Sequence, residues 1–170
     1  MSAFVFAKRL ASHSYFRIAT KGALPMAIPD RESLATGLVR IGEEAVAKRN
    51  DEMFYAYYTD DYRLHSPAGD FNREEIRTYF AALRESFTDF TIRRAQILVD
   101  GNFATSRTVM AGRFDKEFAY TPIGTIQPNR RQVQWELINI FRYTDDGRLI
   151  EEWVQTDTYD FLRQLGAVGS

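Results

Sequence analysis

The stretch EEWVQTDTYDFLRQLG, residues 151–166, sets Asp157 at the junction of a strand-like run carrying Trp153 and a short helix-like segment. A carboxylate held among apolar groups is poorly solvated, which raises its pKa toward neutrality and suits it to removing a proton alpha to a carbonyl. The same position suits a helix cap, in which the carboxylate accepts amide hydrogens of TYDFLRQLG; Thr158 could cap instead and free Asp157. His65, beside Ser66 and Pro67, has an ordinary pKa in the working range and reads either as a second acid–base group or as a hydrogen-bonded structural residue. In FYAYY, Tyr55 or Tyr58 could present a phenol to a substrate carbonyl, although the same rings serve equally as core. Arg107, Asn139 and Gln155 are polar groups in strand-like runs that could bind substrate oxygens or face solvent.

Alternation with period two assigns these groups to faces. Glu151, Trp153, Gln155 and Asp157 share one side of their strand; Ile150, Glu152, Val154 and Thr156 share the other. In the neighbouring run, Val133, Trp135, Leu137, Asn139 and Phe141 make an aromatic-lined face with few polar atoms, as a pocket wall or a core would. Trp135 and Trp153 are therefore candidate walls, with Asp157 on the Trp153 side.

The elements that must position these residues follow from spacing. Leu34, Leu38, Ile41, Ala45, Val46 and Met53 recur at helical intervals, as do Ile76, Tyr79, Phe80, Leu83 and Phe87. Asn72 is the expected cap of the second helix, with Glu75 completing a capping box. DDYRLHSP reads as a short strand stopped by Pro67. From Phe90 onward, TIRRAQILV, FATSRTVMAGRF, RQVQWELINIFRYT and RLIEEWVQTD read as four long strands, with hairpin turns at DGN and TDDGR. Helices followed by antiparallel strands indicate an α+β fold with helices on one face of a curved sheet.

Composition narrows the function. The 22 basic and 23 acidic residues give a net charge of −1, so no overall field draws the chain to nucleic acid or anionic membrane. No apolar run is long enough to span a bilayer, and no phosphate-cradling glycine motif occurs. With no Cys and only His13 and His65, thiolate chemistry is excluded and a histidine-rich metal site is not expected. Residues 1–29 contain no Asp or Glu but carry Lys8, Arg9, Arg17 and Lys21 among aromatic and hydroxyl residues. They read as an N-terminal extension, with a transit-like peptide, a packed arm or a start at Met26 as alternatives, ahead of one domain over residues 30–170. A cytoplasmic location is expected, or an organellar one if that segment directs import.

Residues 31–166 resemble the SnoaL-like polyketide cyclases of the NTF2-like superfamily. The resemblance rests on the order of elements, on YYTDDYRLHSPAG leading into NREEIRTYFAALRESF, on PIGTIQP before RQVQWELINIFRY, and above all on DGRLIEEWVQTDTYDFLRQLG. One departure is GRFDKEF, where many of these cyclases carry a His. The resemblance implies a cone in which a strongly bent sheet wraps helices around a pocket, no cofactor, a small apolar carbonyl substrate such as a polyketide or terpenoid intermediate, and a sheet-mediated homodimer. It also implies catalysis by an Asp matching Asp157, in cyclisation by intramolecular aldol closure or in isomerisation. The alternatives are a non-catalytic binding or dimerisation module and a dehydratase or epoxide hydrolase using the same pocket.

Overall fold

The computed structural model describes residues 30–169; the N-terminal extension expected over residues 1–29 lies outside the described residues. The chain enters through α1 (Arg31–Arg40), capped by Asp30, whose side chain accepts from the Ser33 amide at 2.9 Å. The helical spacing continues beyond it as expected, but not as one α-helix. Residues Ile41–Val46 form a π-helical turn and α2 (Asp51–Tyr57) restarts under an Asn50 cap. At the start of the π-turn the backbone crosses β3 closely: a Cβ on Gly42 would lie 3.2 Å from Ile92 Cγ2.

Strands β1 (Tyr58–Ser66) and β2 (Gly69–Asn72) form a hairpin, and α3 (Arg73–Ser86) follows with the expected capping box, Asn72 accepting from the Glu75 amide while Glu75 accepts from the Asn72 amide. Four long strands complete the sheet: β3 (Phe87–Asp100), β4 (Phe103–Phe114), β5 (Gln132–Tyr143) and β6 (Leu149–Thr156). Short α4 (Thr158–Gln164) closes one end. The turns at Gly101 and Gly147 take positive φ, 57° and 81°.

The strand order is β2-β1-β6-β5-β4-β3. All neighbours are antiparallel except β1 and β6, which run parallel. That pair departs from a wholly antiparallel expectation, because β1 reaches β6 through the rest of the chain and no hairpin fixes its direction. Irregularities in β3 at Thr88/Thr91 and Arg94/Gln96 bend the sheet into the expected curved α+β architecture. Helices α1 and α3 and the π-turn lie against β3, and α3 also packs on β1. Between helices and sheet is a single core rich in rings, including Phe54, Tyr58, Tyr62, Phe87, Trp135 and Phe141.

Candidate active site

On the concave side of the sheet, five adjacent strands each contribute one side chain to a continuous hydrogen-bonded line. Arg94 of β3 donates from Nη1 to Thr108 Oγ1 at 2.5 Å, and Thr108 of β4 donates to Asn139 Oδ1 at 2.6 Å. Asn139 of β5 donates from Nδ2 to Glu152 Oε1 at 2.7 Å, while Tyr62 of β1 donates to Glu152 Oε2 at 2.7 Å. Glu152 of β6 thus receives from both sides. Every bond on the β3 side points from the guanidinium toward the carboxylate, an orientation in which each bond polarises the next.

The register explains this convergence. Phe141 pairs with Glu152 and Asn139 with Val154, so the inward face of β5 meets the Glu152 face of β6. In the parallel pair Leu64 lies opposite Glu152, which brings Tyr62, one step away on the same face, into reach. Burial pushes the Glu152 carboxyl up, against the pull of Arg94 and of its two hydrogen bonds. Burial, then the negative charge of Glu152, raises the Tyr58 and Tyr62 phenols well above the ordinary range. Nearby, Tyr57 and Tyr143 share a 2.7 Å hydrogen bond, and burial pushes Tyr143 up to about 12. The result is a poorly solvated carboxylate flanked by neutral phenols, able to accept a proton from carbon and return it.

Of the residues selected from the sequence, Asn139 belongs to this line and Tyr58 packs edge-on to Tyr62, centroids 4.8 Å apart. Trp135 is also on the concave side, but at the α4 end, packed on Phe161 at 4.7 Å as core. The others lie elsewhere. Asp157 is exposed and accepts the Asp160 amide at 2.9 Å as the cap of α4, so it is not the desolvated carboxylate expected of it. His65 points to the outer face of the sheet, stacked on Trp153 and held between Asp70 and Glu151. Gln155 is exposed on the same outer face, where Arg107 faces Glu136 at 3.7 Å. Tyr55 stands at the surface, donating to Glu74 at 3.0 Å with Arg73 over its ring. In the GRFDKEF departure, Phe114 is buried and Asp115 is paired with Arg113.

The residues that sequence reasoning missed are Glu152, Tyr62, Thr108 and Arg94. Their signal was the alternation itself: Glu152 stood on the Ile150–Val154 face, and choosing the Trp153 face instead sent the choice to the wrong side of the sheet. Among the described residues, no group of three or more His, Asp or Glu side chains is arranged to hold a metal ion.

Comparisons with known proteins agree with this architecture. IdmH from Streptomyces antibioticus, a candidate polyketide cyclase, superposes with a TM-score of 0.65 at 25% identity, covering 79% of this chain and 97% of its own. A SnoaL-like polyketide cyclase from Agrobacterium tumefaciens gives 0.61 at 14% identity, covering 78% and 98%. A protein of ketosteroid isomerase-like fold from Catenulispora acidiphila gives 0.59 at 14%, covering 79% and 93%. No curated protein matches the chain. The model of the SnoaL-like domain matches residues 40–152, from the end of α1 through the buried carboxylate, and with the curved sheet and its helices in place the chain belongs to the SnoaL-like domain family.

Proposed function

We propose that this chain is a cofactor-independent enzyme that moves a proton on a small carbonyl compound, such as a polyketide or terpenoid intermediate, in an intramolecular aldol cyclisation or an isomerisation. The observation that carries the reading is the buried Glu152 carboxylate, held by Tyr62 and Asn139, with its pKa raised by burial. Glu152 takes the proton-transfer role first expected of Asp157. It removes a proton from carbon, the electron pair passes into the enolate, and the Tyr62 hydroxyl turns from Glu152, as that carboxylate takes up the proton, to donate to the developing oxyanion. In closure the enolate carbon bonds to a second carbonyl carbon, and the proton held by Glu152 returns to the resulting alkoxide.

Glu152→Gln is the test, because the fold can accommodate it. The Gln amide oxygen accepts from Asn139, and its amino group donates to Tyr62, whose hydroxyl can turn to accept. In deuterated buffer, with a panel of apolar 1,3-diketones and cyclic enones, the wild type is expected to catalyse deuterium incorporation alpha to the carbonyl. Glu152→Gln should reduce it on the order of 10²-fold or more with an unchanged circular dichroism spectrum. Equal exchange in both proteins would refute the assignment.

A second reading, a binding or dimerisation module, is favoured by the outer face of the sheet. There Leu98, Ile138, Ile140 and Trp153 stand exposed among paired charges. We take this face as the surface through which two copies associate, a role compatible with either reading of the interior.

A further inference from the structure

We propose that Arg94 docks an acidic group of the substrate, so that the ligand of this site is a carbonyl compound that also carries a carboxylate. The inference deepens the reading above and rests on it for the position of the reacting carbon. A guanidinium has five N–H donors. Among the described residues, Arg94 makes one hydrogen bond, to Thr108, and has no carboxylate within 4.0 Å, while its Nε is buried without a partner. Residues 1–29 offer no Asp or Glu to fill the gap. Arg73, Arg113, Arg142, Arg148 and Arg163 each hold a carboxylate, whereas Arg84, also part-buried, donates to the Val46 carbonyl.

The groups packed around Arg94 are a ring, a stretch of backbone and two phenols. Phe141 lies against one face of the guanidinium, which sits 5.1 Å from the ring centroid. On the helix side the backbone of Gly42 packs against the guanidinium, where a Cβ would stand 3.6 Å from Nε. The Tyr57 and Tyr143 phenols are bonded to each other, and burial keeps both neutral, so neither neutralises the cation. Glu152 lies beyond Thr108 and Asn139, three strands away, roughly 14 Å at the backbone from standard strand spacing. A cation left short of partners in a half-buried setting is costly unless an anion completes it, and the planar guanidinium is suited to a carboxylate. A ligand seated there would have its acidic end on Arg94 and its reactive carbon toward Glu152, which gives it one orientation.

The test uses the full chain with two probes, 4-oxodecanoate and its methyl ester, titrated by proton NMR and calorimetry. The wild type is expected to bind the acid at least about tenfold more tightly than the ester, with the difference shrinking as salt is added. Arg94→Gln should erase the difference, and Arg94→Lys should keep part of it. Equal binding of acid and ester by the wild type, no binding of either at millimolar concentration, or an undiminished preference in Arg94→Gln would each overturn the proposal. If Arg94→Gln does not fold, the wild-type comparison and Arg94→Lys decide. The outcome is separable from the proton-transfer reading: exchange that survives Glu152→Gln sinks that reading alone, while acid and ester binding alike in a Glu152-dependent enzyme sinks this one alone.

Discussion

His65 holds two carboxylates at once, Asp70 at 2.9 Å on Nδ1 and Glu151 at 3.1 Å on Nε2, and Arg142 braces Glu151 from the far side. These hydrogen bonds, Asp70 first and Glu151 second, favour the imidazolium and raise the His65 pKa above its ordinary value. A group whose folded pKa exceeds its unfolded value of about 6.5 stabilises the fold fully below that pH and loses its contribution as pH climbs through the folded pKa. The thermal midpoint of the wild type is therefore expected to fall from pH 6 upward by an increment that His65→Gln lacks. The increment is modest, since exposed pairs contribute little, and parallel pH profiles for the two proteins would contradict it. Glu152 acts in the same direction. Its folded pKa is raised, so the native state binds the proton more tightly and stability declines as pH rises from the ordinary carboxylate range through the folded value. The two groups stand one residue apart in effect, Glu152 inside and Glu151 with His65 outside, and sequence alternation separated them correctly. It could not tell which side was inside, because Trp153 reads as the more buried choice and is 36% exposed.

At the scale of elements, α4 depends on Asp157. The helix has only seven residues, and its cap satisfies an amide of the first turn while Gln164 clamps the backbone of β5 at Gln134 from both sides. Asp157→Ala is expected to cost about 1 kcal/mol, read as a lower denaturant midpoint, with deuterium exchange at the substrate unaffected. Loss of exchange without loss of stability would restore Asp157 to the chemistry. Most elements were legible beforehand because each rests on local pattern: the α3 capping box, the four long strands and the glycine turns all emerge where period and turn residues place them. The Val133–Phe141 face of β5 was also legible as the inner one, because its apolar residues alternate cleanly. What local pattern does not encode is which strand lies beside which, and in what register. The parallel pairing of β1 with β6, the short β2 and the π-turn after α1 are all products of tertiary packing, and Tyr62 meets Glu152 only through the first of them.

For the molecule as a whole, the outer sheet face sets the expected assembly. Leu98, Thr105, Ile140 and Trp153 lie in register across four strands, flanked by Arg107 with Glu136 and Arg142 with Glu151. Both charge signs on one patch allow it to meet its own copy across a two-fold axis. Light scattering at micromolar concentration is expected to give a dimer, and Ile140→Asp a monomer that keeps its circular dichroism spectrum; a monomeric wild type would rule this face out as a self-association surface. The place of β1 also governs the order of events in folding. The β3–β4–β5–β6 meander is made of neighbours in sequence and can close by successive hairpins, whereas β1 must wait for a strand about half the chain away. During synthesis Tyr58 and Tyr62 therefore leave the ribosome long before the surface that will bury them exists, and Glu152 acquires its second hydrogen bond only in the closing step.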